Sequence, residues 1–265
     1  MSVFISQNLY LTSTVEPLTH ARIGYKSLLT STNITASAAV SGFPVNNCLI
    51  DQTYEFYKPD VTDSTIVVDL GTAQNVDYFG VVGRNMGNIR LESSTDNVTF
   101  STVLDVNDGT DVITMGLFDT VSARYFKFTF YGSGQEIVKV NLGEALAMPR
   151  PIYGGHTPIT LNRKTQFKTN TSEGGQFLGR TVTRQGFNGQ FNWQHIPAAW
   201  VRSYFDDFIL SARTHQFFIA WRPASFSGEV GFCHTNSDIT PSNMGVRDLM
   251  SIDLSCTGYD VESGL

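Results

Sequence analysis

The sequence predicts a mainly β protein: a β-sandwich followed by a β-rich second domain that carries one packed helix. Three observations predict this. Apolar and polar residues alternate over strand-length segments, as in Phe126, Phe128 and Phe130 against Lys127, Thr129 and Tyr131. Turn chemistry recurs between such segments, at "SGFP", "DLGT", "STDN", "NDGT" and "GSGQ". The composition is 41% hydrophobic and 12% aromatic, with 23 glycines and only 16% charged residues, which describes a folded chain rich in strands and turns.

Taken in order, residues 1–30 read as an N-terminal arm and residues 31–148 as the sandwich. In "STIVVDLG", Ile66, Val68 and Leu70 share one face, and Gly71 follows where a turn needs a positive φ. "SSTDNVTF" puts Asp96 and Asn97 at a tight hairpin tip. The stretch "ALAMPRPIYGGHTP" carries three prolines and two adjacent glycines and interrupts the strand pattern, so it links to a second domain over 149–265. Strand candidates there include "RTVTRQGFNGQFNW", "THQFFIAWRP" and "DLMSIDLSCTGY". One segment has a different period. Trp200, Val201, Tyr204, Phe205, Phe208, Ile209 and Ala212 fall on one helical face, predicting a helix over about 197–213 with Pro197 at its first position. Asp206 and Asp207 lie opposite that stripe and read as its solvated side rather than as a catalytic pair.

The same residues exclude several functions. A net charge of −6 with scattered Lys and Arg lacks the basic footprint of a nucleic-acid binder. The start "MSVFISQNLYLTSTVEP" has no basic segment before an apolar one, and no apolar run reaches about 18 residues, so neither a secretory signal nor a membrane span is expected. The three cysteines, Cys48, Cys233 and Cys256, are far apart and read as reduced, buried thiols. No Gly-rich phosphate loop, nucleophile elbow or H-E-x-x-H occurs, and the five histidines are isolated from one another. Cys233 and His234 are neighbours on a strand and point to opposite faces, so they do not form a nucleophile–base pair. The chain is expected not to be an enzyme.

Six elements stand in a recognisable order: "ITASAAVSGFPVNNCLID", "YEFYKP", "IVVDLG", "VDYFGVVG", "IRLESSTDNVTFSTV" and "ARYFKFTF". On these residues the first unit resembles the discoidin, or coagulation factor 5/8 type C, jelly-roll family, which includes galactose-type carbohydrate-binding modules. Tyr57 stands where that family usually has Trp, and Asn97 where it usually has Gly. The resemblance implies a ligand site on loops at one end of the sandwich, with Tyr54, Phe56, Tyr57, Arg84, Asn85 and Tyr131 as its residues here. The alternative is that these loops meet a neighbouring subunit or simply close the end of the barrel. The resemblance also implies a structural Ca²⁺ near Asn47–Thr53, for which Asp51 and adjacent carbonyls are the hard-oxygen candidates.

A second resemblance concerns "ARIGYKSLL" and "EVGFCHTNSDITPSNMGVRDLMSIDLSCTGYD", which look like tail-tip or baseplate proteins of tailed bacteriophages. It implies a structural protein of the virion tail, assembled in the host cytoplasm. The partners it implies are copies of the same chain in a hexameric or trimeric ring, and other tail or baseplate proteins. The alternative function is a carbohydrate-binding module or adhesin that recognises host-surface glycan through the jelly-roll loops.

Overall fold

The structure is a computed structural model and describes residues 8–11, 18–106, 113–159 and 161–258. The turn expected at "NDGT", residues 107–110, lies outside the described residues. Strands are numbered along the chain. β1 (Asn8–Leu11) and β2 (Arg22–Gly24) precede β3 (Ile34–Ala36), β4 (Ser64–Arg84), β5 (Ile89–Ser94), β6 (Ser101–Val106), β7 (Thr114–Phe130) and β8 (Glu136–Gly143). After them come β9 (Leu146–Ala147), β10 (Gln166–Thr171), β11 (Phe177–Arg184), β12 (Phe187–Pro197), β13 (Phe217–Ala220), β14 (Val230–Thr235), β15 (Ser242–Asn243) and β16 (Leu249–Gly258). The protein is mainly β with one helical segment, as the sequence predicts.

The sandwich is built on β4 and β7, two long antiparallel strands that pass through both of its layers. The first half of β4 pairs with β3 and its second half with β8, while the two halves of β7 pair with β1 and with β5, beyond which lies β6. β4 changes layer between Asp69 and Gln74, where its register on β7 shifts. Gly71 sits there at φ +74, and its N–H donates to Asp69 Oδ1 at 2.8 Å. The "DLGT" signal is therefore a bend inside a continuous strand. Arg124 of β7 donates two bonds to the Asp69 carboxylate, at 2.7 and 2.9 Å, and holds that carboxyl down at about 2. Alternation then fills the core: Ile66, Val68, Phe126, Phe128 and Phe130 meet Phe79, Val81, Val140 and Leu142. Fully burying each such side chain contributes about 1.5–3 kcal/mol.

The second sheet runs in the order β12-β16-β14-β13-β2-β9. Its strands β2 and β9 flank the sandwich in sequence, so the sandwich is inserted between two neighbours of this sheet. The helical segment over 198–212 covers one face, where Val201, Phe205, Phe208 and Ala212 pack on Phe217, Ile219, Trp193 and Leu254. Pro197 ends β12 and caps the helix with extended backbone (ψ 128) rather than occupying its first turn. A π turn at Val201–Phe205, closed by the Asp206 N–H bonding to the Val201 carbonyl, widens the helix, and Tyr204 is 60% exposed instead of joining the buried stripe. No helix among the described residues is long and apolar enough to cross a membrane.

The other face of this sheet packs on the outer face of the sandwich. Tyr78, Val82, Met115, Leu117 and Val138 meet Phe218, Ala220, Val230 and Phe232 in one buried cluster. Strands β4 and β13 are therefore buried on both sides, which is why "FGVVG" and "FFIA" run apolar without alternation. The two sheets interlock through glycine. A Cβ on Gly24 would lie 2.3 Å from the Tyr78 ring, and one on Gly80 would lie 2.5 Å from the Phe218 ring. Gly80→Ala should lower stability by about 1–3 kcal/mol, the usual cost of overpacking, read as a lower urea midpoint with unchanged slope. A midpoint equal to or above the parent's would contradict this packing.

Asp77 sits beside that contact, where burial lifts its carboxyl from 3.8 to about 6, against the pull of the Ala145 N–H that donates to Oδ1 at 2.7 Å. The folded state holds this proton more tightly than the unfolded state, so the contribution to stability is complete below pH 3.8 and is lost as pH rises through about 6. Asp77→Asn keeps the acceptor and removes the titration. The stability gained by the variant over the parent should grow across that window, and a gain that stays constant with pH would refute the assignment.

Candidate functional site

The residues expected to bind ligand do not all reach the surface. The Tyr57 N–H donates to the Ile137 carbonyl at 2.8 Å, and the Ile137 N–H donates back at 2.9 Å, which bridges the 51–58 loop to β8. That bridge turns the Tyr57 ring into the sandwich core, where it is fully buried, with its hydroxyl donating to the Ser37 carbonyl at 3.0 Å. Burial pushes the phenol up to about 12. Tyr57 is thus a core residue and offers no stacking surface. Phe56 stacks on Phe43 at 4.7 Å between centroids and packs against the cluster between the two sheets. Tyr54 is 77% exposed at the loop tip.

Arg84, Asn85 and Tyr131 do come together. Arg84 ends β4 opposite Glu136 of β8, and Asn85, in the left-handed region at φ 52, donates to the Gly134 carbonyl at 3.2 Å. The Gly87 N–H bonds the Tyr131 carbonyl, and the Tyr131 N–H bonds the Asn88 carbonyl, both at 2.8 Å. The Arg90 guanidinium lies 5.6 Å over the Tyr131 ring and is itself held by Asp105 at 2.7 and 3.1 Å. The fully buried Gln135 fixes this loop from below, accepting from Ser64 Oγ at 2.6 Å and donating to the Phe130 and Gly132 carbonyls at 2.7 and 3.0 Å. A Lys58–Glu136 ion pair at 3.1 Å ties the loop that bears Tyr54 to the same rim. The rim therefore carries an aromatic ring, guanidinium groups and an amide on a fixed backbone, a set able to stack on and hydrogen-bond a polar ring-shaped ligand.

Asp51 does not sit in a vacant oxygen cage. The Lys139 ammonium donates to the Leu49 and Ile50 carbonyls at 2.9 and 3.1 Å and to Asp51 Oδ1 at 2.9 Å. Its three donors are thereby used on the oxygens a Ca²⁺ would need, and the residues present do not fit that ion. Asp51 Oδ2 also meets His215 Nδ1 at 2.6 Å. Burial raises the Asp51 carboxyl, but the bonds from His215 and Lys139 outweigh it and leave the group below its ordinary value. Among the described residues no group of three or more His, Cys, Asp or Glu gathers to hold a metal.

This cluster borders a groove of about 540 Å³ at the junction of the two domains. Leu49, Asp51, Lys139 and Asn141 line it from the sandwich, and Tyr25, Lys26, Asp207, Leu210 and His215 from the other side. The sequence reading passed over Lys139, Gln135 and His215. The available signal was Lys139 itself, a lone charge inside the buried strand "EIVKVNLG".

Residues 33–141 match the F5/8 type C domain family. No curated protein sequence matches the chain. Solved structures with a similar fold include a GH29 fucosidase of Ruminococcus gnavus bound to fucose, at 14% identity and TM-score 0.42, over 46% of this chain and 27% of the fucosidase. The chain thus spans about a quarter of that enzyme. Others are chitosan-binding module 1 of a chitosanase/glucanase from Paenibacillus sp. IK-5 (18% identity, TM-score 0.40, 44% of this chain and 98% of the module) and a pectin-binding module (17%, 0.39, 47% and 96%).

Because Lys139 supplies the cation, the melting temperature should be the same in excess Ca²⁺ and in chelator. Lys139→Met should cost about 1–3 kcal/mol, since two part-buried carbonyls and one carboxylate oxygen lose their donor. A calcium-dependent rise in the parent's melting temperature, or a Met variant as stable as the parent, would refute the substitution of ammonium for metal.

Proposed function

We propose that this chain, whose residues 33–141 form an F5/8 type C domain, is a non-enzymatic carbohydrate-binding protein that recognises glycan through the rim around Tyr54, Arg84, Asn85 and Tyr131. The observation that carries the reading is the gathering of Arg84, Asn85, Arg90 and Tyr131 at strand ends and loops braced by a buried glutamine. A flat aromatic face beside guanidinium and amide donors matches a sugar ring, which offers an apolar face and a circle of hydroxyls. Preformed loops bind without a large ordering cost.

A second reading, an oligomeric component of a phage tail tip or baseplate carried on the virion, is favoured by a separate observation. Among the described residues the β10–β11 hairpin pairs with no other sheet, and it exposes large apolar side chains, as an assembly element would. The two readings are compatible on one particle, with the rim facing a host surface.

A glycan array probed with the full chain, followed by calorimetry on the best binder, tests the first reading. Tyr131→Ala and Arg84→Ala should each weaken binding about tenfold, or ~1.4 kcal/mol, without changing the melting temperature. No binding across the array, or variants that bind like the parent, would overturn it.

A further inference from the structure

We infer that the β10–β11 hairpin is an assembly arm that docks on the body of a second copy of this chain. Among the described residues the hairpin is a two-stranded sheet of its own, and at its base the Lys164 N–H bonds the Gly186 carbonyl and the Asn188 N–H bonds the Asn162 carbonyl. An isolated two-stranded ribbon is marginal in water, so one that projects from a domain needs a partner surface to bury against. Its side chains have the character of a buried surface. Phe167 (51% exposed) and Val182 (45%) are direct cross-strand partners, and Phe177 (65%) and Leu178 (66%) stand near the tip. Arg180 lies 4.6 Å over the Phe167 ring.

Charge identifies the occupant. Residues 163–184 hold Arg163, Lys164, Lys168, Arg180 and Arg184 against the single acid Glu173, a net +4. The chain as a whole is −6, so everything outside the hairpin sums to −10. The body of another copy is therefore both acidic and available at matching stoichiometry. A two-fold contact of hairpin on hairpin would bring two +4 ribbons together and is opposed by repulsion. The contact is therefore arm to body: exchanged reciprocally it closes a two-fold dimer, and passed head to tail it generates a ring when it closes and a filament when it does not. On that body the helix exposes Tyr204 and Leu210 beside Asp206, an apolar patch of the kind the arm's side chains would cover.

Light scattering of the purified full chain across micromolar concentrations tests this. The expected result is a mass above one chain that falls in high salt. Phe167→Ser with Leu178→Ser should shift assembly to at least about tenfold higher concentration, and Lys168→Glu with Arg180→Glu should do the same, at unchanged melting temperature. Tyr204→Ser with Leu210→Ser, on the proposed acceptor, should match the hairpin variants. A monomer at every concentration in low salt overturns the inference, as does assembly unaffected by both hairpin variants. So does a monomer that sediments with anionic vesicles through the hairpin, which would assign the arm to a lipid surface.

Discussion

The architecture depends on two sheets in direct side-chain contact. Tyr78 of the sandwich lies where Gly24 of the second sheet has no side chain, and Phe218 of the second sheet lies where Gly80 of the sandwich has none. Gly24 and Phe218 are cross-strand partners, while Tyr78 and Gly80 are two residues apart on one strand face. Each surface therefore presents one ring and one hole, and the pairs interlock reciprocally. A contact of this kind tolerates neither rotation nor sliding, because any shift drives a ring into backbone. It also explains why the second half of β4 runs apolar: one face serves the jelly-roll core and the other serves the junction.

Polar bridges across the junction refine this placement and add little energy. His215–Asp51, at 2.6 Å with the histidine more than half exposed, belongs to a class worth about 0–1 kcal/mol. By contrast, burying the Tyr78, Phe218 and Phe232 side chains contributes several kcal/mol together on the scale of ~1.5–3 kcal/mol each. What the polar groups supply is angular definition. The Tyr78 hydroxyl donates to the Lys26 carbonyl, and His215 meets Asp51, so the loop of each domain nearest the groove is tied to the other. The insertion of the sandwich between β2 and β9 adds a covalent constraint, since both of its ends are anchored in one sheet.

Much of this was legible in the sequence, and the failures have physical causes. Alternation at Phe126, Phe128 and Phe130 and the helical stripe from Val201 to Ala212 report burial directly, because side-chain period follows backbone geometry. The double burial of β4 and β13 also left a mark, as runs without polar interruption. The strand role of Arg22–Gly24 left none, because three residues carry too little pattern to separate a strand from an arm. Tyr57 misled for a related reason: it sits in an aromatic cluster, and only its two backbone bonds to Ile137 decide that its ring turns inward while Tyr54 stays out. The cage around Asp51 was half legible. Its oxygens follow from the local loop, but the ammonium that fills it arrives from Lys139, 88 residues further on.

The rim and the hairpin occupy different domains, and that separation has a consequence for binding. A rim of two tyrosines with a few donors is open and small, so under the proposed function a single copy would gain only a modest free energy from one sugar. The rim is formed where β4 meets β8, and the hairpin leaves the chain before β12, on the edge of the other sheet. Docking the arm therefore leaves the rim uncovered. Copies joined arm to body would present several rims in fixed relation, and each further sugar engaged would bind at the effective concentration set by that geometry, raising avidity by about 10²–10⁴ with no new contact. The rigid junction between the domains matters here, because a flexible one would spread the rims over many orientations and dilute that gain.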